Sequence, residues 1–363
     1  MKSPRIRAAI AGTALAAVAL TVAACGGSGG GGGGPTVALL LPENQTARYE
    51  THDKPDFQAK LKQVCPTCKM LYSNATQDAT KQQSQADAAL TQGAKVLVLD
   101  PVDAGSAAAI VRQATARKVP VISYDRLITK SAVDYYVSFD NARVGMLQAT
   151  ALDAALKSAG KPTGPVIMIN GDPADNNAKL FKQGALSQFA KDGVKIAKQY
   201  DTPGWLGSTA QNEAQQAITA LGNNGFAGIY GANDDMAEGG IAAMQGAGIN
   251  PKTRPTTGQD ASLAGVQRIL AGTQYMTVYK AVTAEAQDTA ALAGALAQGK
   301  QPPAGLVNQQ TPNGTKTVPS VILTPVAVTK TNIKATVIKD NFWTVSQICT
   351  SAYAAACTAA AIK

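Results

Sequence analysis

The residues best suited to chemistry in this 363-residue chain are polar side chains that follow short apolar runs. The clearest case is VPVISYDRLI (119–128), where an apolar run ends in Tyr124, Asp125 and Arg126. Asp125 offers two acceptor oxygens, and Arg126 offers a planar fork of donors. Such a pair suits an uncharged ligand rich in hydroxyl groups, because each hydroxyl both donates and accepts. The alternative is a structural salt bridge between loops or lobes.

Several other apolar runs also end on polar side chains. If these runs are parallel strands, their last residues lie along one edge of a sheet, where ligands of open parallel sheets bind. The polar residues at these ends are Asp100, Asp125, Arg126, Asp140, Asn233, Asp234, Asp260 and Lys280. Three of them also have a simpler interpretation. Asp100 could only shape a turn, Asp234 is expected to cap the helix that follows, and Lys280 could be a solvated lysine.

Two aromatic residues lie just after predicted strands and could complete a carbohydrate pocket. Sugars expose C–H faces that pack on flat rings, and polar groups around the ring fix their orientation. Trp205, in DTPGW, follows one strand, and Tyr49, with Arg48 beside it, follows the first strand. Taken singly, each aromatic could instead belong to the core.

The elements that must position these residues follow from the pattern after Thr36. Runs that are typical of strands are TVALLLP (36–42), KMLYSNA (69–75), KVLVLDP (95–101), PVISYD (120–125), DYYVSFD (134–140), PVIMING (165–171), KIAKQYD (195–201), FAGIYGAN (226–233), RPTTGQD (254–260) and YMTVYK (275–280). Helical spacing covers 78–92, 104–117, 177–191, 208–221, 235–247 and 262–271. Repeated strand–helix units with nearly continuous apolar strands predict parallel sheets covered by helices on both faces.

The two halves of the chain also resemble each other. ALTQGAKVLVLDP leads through a helix to VPVISYDR in the first half, and ALGNNGFAGIYGAND leads through a helix to RPTTGQDA in the second. The period is too long, and occurs too few times, for a solenoid. The repeat predicts an α/β fold with two doubly wound, parallel-sheet lobes.

The first 35 residues are interpreted as export and anchoring segments. Residues 1–7 are basic, an apolar stretch runs to residue 24, and small residues precede Cys25. This order is typical of a lipoprotein signal peptide over 1–24, with Cys25 as the lipidated membrane anchor. An ordinary secretory signal with an incidental cysteine is the alternative. The glycine-rich stretch 25–35 then serves as a flexible tether.

The charge of the chain argues against a nucleic-acid partner. It has 33 basic and 24 acidic residues, for a net charge of +9, and three of the basic residues lie in the predicted signal. The others are scattered and have few aromatic neighbours. They leave no footprint of a nucleic-acid-binding surface.

Four cysteines remain once the lipidation candidate is set aside. An even number in an exported chain favours disulfides. Three pairings are open, and we prefer the local ones, Cys65–Cys68 and Cys349–Cys357. A redox role for Cys-Pro-Thr-Cys is a minor alternative. A zinc site is disfavoured because His52 is the single histidine of the sequence.

Several long segments together resemble the D-xylose-binding periplasmic proteins, within the larger group of ribose-, glucose- and galactose-type sugar-binding proteins of ABC importers. The segments are SYDRLI, YYVSFDNARVG, DNNAKLF, GW after a strand, GQDASLAGVQRILAGTQYMTVYK and VPSVILTPVAVTKTNIKATVIKD. The resemblance covers about 36–342. It implies a type I periplasmic-binding-protein fold, in which two lobes share a hinge of three strands. The implied lobes are 36–140 plus 281–325 and 141–280 plus 326–345.

The resemblance also implies a set of ligand-binding residues. The polar residues that match the family's motifs are Asp125, Arg126, Asn176, Asn177, Asn233, Asp260 and Lys280. Trp205 matches one of two stacking tryptophans. The family's arginine–tryptophan pair in the first loop is Arg48–Tyr49 in this chain. Because a tyrosine stacks over less area and adds a hydroxyl, this departure leaves the exact sugar open.

The implied function is that of a receptor, and not of an enzyme. It binds a monosaccharide, D-xylose or D-glucose, between its lobes without a cofactor or metal, and presents it as a monomer to the transmembrane subunits of an ABC permease. A sensor for chemotaxis or signalling would use the same site. An exported glycosidase would need one carboxyl group with a raised pKa, whereas the candidate carboxylates lie beside donors. A repressor of the same fold would need a helix-turn-helix in place of the signal and tether.

Two features have no role in this scheme. His52 is expected to be an exposed loop residue. The segment 346–363 has no counterpart in the family, and we expect an extension that is pinned by a disulfide and otherwise poorly ordered.

Overall fold

The structure is a computed structural model in which residues 33–362 are described. They form one compact folded unit. The predicted signal peptide (1–24), Cys25 and most of the predicted tether lie outside the described residues. Within 33–362, no helix is long and apolar enough to cross a membrane.

The described elements alternate between strands and helices over most of the chain. The strands are β1 (Thr36–Leu41), β2 (Lys69–Asn74), β3 (Ala94–Leu99), β4 (Val121–Tyr124), β5 (Tyr135–Phe139), β6 (Val166–Asn170), β7 (Ile196–Asp201), β8 (Gly228–Gly231), β9 (Met276–Tyr279), β10 (Gln309–Pro312), β11 (Thr317–Leu323) and β12 (Val326–Thr329). The α-helices are α1 (Lys54–Val64), α2 (Ala79–Thr91), α3 (Ala108–Ala116), α4 (Asn141–Ser158), α5 (Asn176–Asp192), α6 (Gly207–Leu221), α7 (Asp234–Gly246), α8 (Leu263–Ala271), α9 (Val282–Ala297), α10 (Val345–Ile348) and α11 (Ala354–Ala359). Short π-helices cover Tyr49–Asp53 and Lys334–Ile338, and short 3₁₀ turns cover Pro203–Trp205 and Pro251–Thr253.

The first lobe is built on a seven-stranded sheet with the order β10-β11-β5-β4-β3-β1-β2. Its strands pair in parallel except for β10, which pairs antiparallel with β11. The central strands are apolar on both faces, because one face packs against α2 and α3 and the other against α1 and α9. Each fully buried aliphatic side chain, such as Leu39 or Leu97, contributes about 1.5–3 kcal/mol to stability.

The second lobe contains a parallel sheet with the order β7-β6-β8 and an antiparallel pair of β9 with β12. Helices α4 and α5 pack together, and so do α6 and α7. The main core of this lobe includes Ile167, Ile169, Phe181 and Phe189. The architecture therefore matches the predicted α/β class with mostly parallel sheets.

The chain passes between the lobes in three places. It leaves the first lobe after β5, returns after β9, and leaves again between β11 and β12. The lobes contact each other away from these crossings. Gln77 Nε2 donates to Asp172 Oδ2 over 2.8 Å, and the Ala104 N–H donates to the Ala174 carbonyl over 3.1 Å.

Two predicted elements differ from the structure. The segment 254–260 is not a strand, and makes a single parallel bridge between Thr256 and Ile229. Its threonines and its glycine give it little apolar surface to bury, and its Pro255 has no N–H to donate to a ladder. The helix predicted over 104–117 begins only at Ala108, because turns occupy the residues before it.

The C-terminal extension is packed, contrary to the expectation that it would be poorly ordered. Its helices α10 and α11 lie against α8, and Ile348, Cys357 and Ile362 are buried there. The reason is that the segment supplies apolar side chains to a fourth core cluster, which also contains Phe342 and Trp343. In the structure Cys349 is bonded to Cys357, and Cys65 is bonded to Cys68.

Candidate functional site

Asp125 is the centre of the candidate site. It follows β4 directly and is 3% exposed. Its Oδ2 accepts a hydrogen bond from Arg48 Nη1 over 3.0 Å, and its Oδ1 accepts one from Asn177 Nδ2 over 3.1 Å. The ammonium of Lys280 lies 3.7 Å from the same Oδ1. Asp125 of the first lobe therefore meets a guanidinium of its own lobe and two side chains from the second-lobe elements α5 and β9.

Arg48 is held by carboxylates on its other side. It lies in the loop after β1, just before the π-helix that carries Tyr49. Its Nη2 is 2.7 Å from both Asp53 Oδ1 and Glu285 Oε2. Because three carboxylates surround one buried guanidinium, its donor fork is fixed in one orientation.

Arg126 links the two lobes. Its Nε lies 3.1 Å from Asp175 Oδ2, at the start of α5, and 3.5 Å from Asp100 Oδ1, at the end of β3. Its Nη2 donates to the Tyr49 hydroxyl over 3.2 Å. Asp100 is fully buried, so it does more than shape a turn.

Lys280 and Asp260 form the second-lobe side of the site. Lys280 follows β9 and is 2% exposed, so it is not a solvated lysine. Its ammonium lies 3.4 Å from Asp260 Oδ1. Asp260 is itself anchored, because its N–H donates to the Val278 carbonyl over 2.9 Å.

Trp205 is a buried aromatic residue that contacts Asp175 in the site. It is 5% exposed, and its indole Nε1 donates to Asp175 Oδ2 over 3.3 Å. Its ring meets Phe181 edge to face, with a centroid separation of 6.4 Å. The ring also lies against the backbone of Gly171, where a Cβ atom would stand only 1.9 Å from the indole.

Three of these residues have left-handed backbones. The φ angles are 50° at Asp125, 54° at Trp205 and 87° at Asp260. Aspartate tolerates this region better than most residues, whereas a bulky residue such as tryptophan rarely occupies it. Such conformations persist only where the surrounding structure holds them, and they cluster at ligand sites.

Most of the predicted site residues meet around one small cavity. Its volume is about 20 Å³, which is close to the space that one water requires. The residues that line it are Thr46, Arg48, Tyr49, Asp125, Arg126, Asp175, Asn177, Phe181, Trp205, Asn233, Gln259, Asp260 and Lys280. A larger ligand therefore enters only when the side chains or the lobes separate.

The structure does not bring every candidate into this cluster. Asn176 is half-buried at the first position of α5 and does not line the cavity. Asp140 is exposed and caps α4 by accepting from the Arg143 N–H.

Asp234 was expected to cap α7, but the cap is Asn233, whose Oδ1 accepts from the Asp235 and Met236 N–H groups. Asp234 instead has a structural role within the second lobe.

The structural role of Asp234 is visible in its partners. Its carboxylate accepts hydrogen bonds from Gln274 Nε2, Thr277 Oγ1 and the Ser262 N–H. These contacts tie the start of α7 to β9 and to the loop before α8. The cap falls one residue earlier because Asn233 has the extended backbone of a cap residue.

Sequence reasoning missed several residues of the site. Asp175 and Gln259 each adjoin a predicted residue, and Asp175 had a detectable signal, because an aspartate just before a helix is a typical cap. Asp53 and Glu285 are far from the other members in sequence. Nothing in the local pattern indicates that they bind Arg48.

Burial and ion pairing act in opposite directions on these carboxyl groups. Burial alone raises the pKa of Asp125, but Arg48, Lys280 and Arg126 outweigh it and hold that pKa below its ordinary value. Burial raises the pKa of Asp175 and of Asp100, which Arg126 offsets only in part. For Lys280, burial lowers the pKa, but Asp125 and Asp260 reverse the effect and the net shift is upward. The ion pairs therefore favour the ionised forms of Asp125 and Lys280, whereas burial favours the protonated forms of Asp175 and Asp100.

His52 is half-buried and not an exposed loop residue. Its ring stacks on Phe342 with a centroid separation of 4.0 Å and meets Trp343 edge-on at 5.0 Å. The stack joins the first lobe to the C-terminal core cluster. The stack could not be predicted from the sequence, because His52 and Phe342 lie almost 300 positions apart.

Comparison with known proteins shows that this chain is similar to sugar-binding proteins. A family model described as the periplasmic binding protein domain matches residues 37–301. The D-xylose-binding periplasmic protein of Escherichia coli is 38% identical over 284 residues, which are 77% of this chain and 83% of that protein. A multiple sugar-binding periplasmic receptor of Rhizobium radiobacter is 31% identical over 86% of this chain and 92% of that protein.

A solved structure gives a similar result. The carbohydrate transporter solute-binding protein of Chloroflexus aurantiacus, in complex with D-glucose, superposes with a TM-score of 0.77. It is 31% identical in sequence, and the match covers 86% of this chain and 97% of that one.

Proposed function

Since this chain belongs to the periplasmic binding protein domain family, we propose that it is the solute-binding protein of an ABC sugar importer. It binds a monosaccharide between its two lobes and delivers the sugar to the transmembrane permease. Its relatives are named as binding proteins, and the site needs no covalent chemistry to serve this role.

The observation that carries the proposal is a buried set of ion-paired side chains that both lobes contribute. Three basic residues (Arg48, Arg126 and Lys280) and three acidic residues (Asp125, Asp175 and Asp260) line the central cavity. Each basic side chain already has a carboxylate partner within the set, Arg48 with Asp125, Arg126 with Asp175 and Lys280 with Asp260, which favours a neutral ligand over a charged one. A sugar hydroxyl both donates and accepts a hydrogen bond. It can therefore take the place of one partner in a hydrogen bond between two protein side chains.

Aromatic side chains at the same cavity supply the apolar part of a sugar site. We assign the stacking role to Trp205, with Phe181 and Tyr49 beside it. A pyranose ring exposes C–H groups on its faces and hydroxyls on its rim. Rings against the faces and charged groups around the rim therefore fit a single sugar unit.

D-xylose is the first candidate ligand, and D-glucose is the second. The E. coli relative supports xylose by its name, and the Chloroflexus structure supports glucose by its bound ligand. Tyr49 is the residue on which we expect the choice to depend, because its hydroxyl accepts from Arg126 at the edge of the cavity.

Transport requires the two lobes to open and close. The proposed moving bodies are 36–140 with 281–325 and 141–280 with 326–345, which exclude the extension after residue 345. Bonds from Asp125 to Asn177 and from Arg126 to Asp175 cross between these bodies. Since the closed arrangement buries them, sugar binding and closure stabilise each other, and the permease recognises the closed form.

The proposed location of this protein is that of its relatives, with the addition of a lipid anchor. The Escherichia coli and Rhizobium relatives are named as periplasmic, and we propose that this chain likewise acts outside the cytoplasm. We further propose that it is a monomer. A lipid on Cys25 holds it at the outer face of the cell membrane through the glycine-rich tether.

The test is calorimetric titration of residues 36–363 with a panel of pentoses and hexoses, after unfolding and refolding to remove co-purified sugar. Tight binding of xylose or glucose supports the proposal. If no monosaccharide releases or absorbs heat, the simple-sugar receptor is wrong.

A sensing role is the second candidate. The Rhizobium relative is named as a receptor, at 31% identity. Deletion of the gene separates the two roles, since loss of sugar uptake indicates transport and loss of a sugar response with normal uptake indicates sensing.

A further inference from the structure

A second, larger cavity lies beside the proposed sugar site. Its volume is about 330 Å³, which is in the range of small-molecule sites. It is bounded by the loop before the first π-helix on one side and by the starts of α7 and α8 on the other. We call it the side cavity.

The side cavity adjoins the sugar site. Thr46, Arg48, Asn233, Gln259 and Asp260 line both. A group attached to a sugar in the central site therefore has to pass only between these shared side chains to enter the side cavity. Resting on the proposed function, we infer that the side cavity is a second sugar subsite, which accepts the neighbouring ring of a neutral disaccharide or the aglycone of a glycoside.

Aromatic side chains form one wall of this subsite. Phe342 and Trp343 line it from the C-terminal cluster, and His52 lines it from the first lobe. The Trp343 indole is fixed, because its Nε1 donates to the Ala261 carbonyl over 2.8 Å. Rings held in place by stacking and hydrogen bonding present a preformed surface for the C–H face of a sugar.

Two side chains in the wall of the subsite each carry a buried polar atom that lacks a partner within the described residues. Gln259 is 2% exposed, and its Oε1 accepts no hydrogen bond from any residue within 33–362. His52 Nε2 is likewise buried without a partner in that part of the chain. A buried polar atom without a partner costs free energy, which a ligand hydroxyl would recover.

The acidic residue in the subsite also suits a neutral ligand. Asp235 lines the side cavity, and burial together with Asp234 and Asp260 raises its pKa to about 7. Near neutral pH a large share of this carboxyl is protonated, so it can donate to or accept from a hydroxyl.

The test compares one-ring and two-ring ligands in the same calorimetric titration. The probes are xylose with xylobiose, glucose with cellobiose and maltose, and the phenyl glycosides of both sugars. Ala264 is exposed at the rim of the side cavity and is absent from the central site, so Ala264→Trp fills the subsite alone. The control is Ala154→Trp, on an exposed position of α4 that lines neither cavity.

We expect at least one two-ring probe to bind within about tenfold of its parent monosaccharide. Ala264→Trp should then weaken that probe by about tenfold or more while the monosaccharide affinity stays within about twofold. Ala154→Trp should change neither.

Two outcomes would overturn the inference. In the first, monosaccharides bind but every two-ring probe is weaker by more than about 100-fold, and the proposed function then stands without the subsite. In the second, a two-ring probe binds but Ala264→Trp leaves it unchanged, and its second ring then lies elsewhere. If no ligand of either size binds, the proposed function itself fails.

Discussion

Asp125 of the first lobe and Asn177 of the second are joined by two hydrogen bonds from one amide. Asn177 Nδ2 donates to the Asp125 carboxylate over 3.1 Å and to its main-chain carbonyl over 3.0 Å. The orientation of this amide is fixed further, since its Oδ1 accepts from Asn141 Nδ2 over 2.9 Å. Under the proposed function, we expect this one aspartate to take part both in ligand binding and in lobe closure.

Asp125→Asn should therefore weaken sugar binding strongly. The change removes a buried charge that compensates Arg48 and Lys280, at a cost of about 3 kcal/mol, or about 100-fold in affinity. Calorimetry with the sugar that the wild type binds measures the loss. The matched control is Asp201→Asn, which removes only an exposed partner of Lys182. An affinity for Asp125→Asn within about threefold of the wild type would exclude Asp125 from the site.

Gly171→Ala should weaken sugar binding without touching the sugar. The added methyl group would stand 1.9 Å from the Trp205 indole, so the ring must move. We expect a loss of affinity of about tenfold or more and a shift in tryptophan fluorescence, because small displacements of positioning groups are costly. In the control Gly246→Ala, the exposed site at the end of α7 has open space for the methyl group. Unchanged affinity in Gly171→Ala would show that Trp205 does not position the sugar.

Asp235 should make the protein less stable as the pH rises towards neutrality. Its folded-state pKa is raised to about 7, so between about pH 4 and pH 7 the folded state keeps a proton that the unfolded state has lost. The free energy of unfolding therefore falls across this window, and the penalty is complete above it. Because the carboxyl is partly exposed, we expect the penalty to be on the order of 1–2 kcal/mol.

Asp235→Asn tests this pH dependence. The variant should gain stability over the wild type at pH 8 and much less at pH 5, as measured by urea denaturation at both values. Asp201→Asn, at an exposed carboxylate that pairs with Lys182, serves as the control. A gain of equal size at both pH values would indicate a packing effect and not a titration.

The Cys349–Cys357 disulfide should stabilise the C-terminal helices by about 2 kcal/mol, from the closure of a loop of eight residues. Replacement of both cysteines by serine should lower the free energy of unfolding by that amount and leave monosaccharide affinity unchanged within about twofold. A reductant also breaks the Cys65–Cys68 bond in both proteins, so the difference in stability between them should vanish under reducing conditions. A difference that persists under reducing conditions would assign the effect to side-chain packing.

The sequence predicts the first-lobe half of the site well. Asp125 and Arg126 follow an apolar run, and the carboxyl ends of parallel strands must lie along one sheet edge. Lys280 also follows a predicted strand, but β9 pairs antiparallel with β12, so the parallel-sheet rule does not place it. The strand periodicity therefore accounts for the positions of Asp125 and Arg126 and not for that of Lys280.

The remaining partners depend on tertiary contacts that a local pattern does not contain. Asp53 and Glu285 bind Arg48 from a π-helix and from α9, at separations of 5 and 237 residues. The choice of Asn233 over Asp234 as a helix cap depends on where α7 meets the sheet, because both residue types can cap. The aromatic stack of His52 on Phe342 likewise has no spacing that a periodicity could detect.

The left-handed backbones at residues 125, 205 and 260 constrain how this receptor can evolve. β-Branched residues are strongly disfavoured there, whereas Asn and Gly fit the backbone without added strain. Changes in sugar preference are therefore expected to arise from substitutions at neighbouring residues whose backbone is not left-handed, such as Tyr49 and Gln259. Residues 125, 205 and 260 should stay nearly constant. A combinatorial library for new sugar specificities should vary those neighbours first.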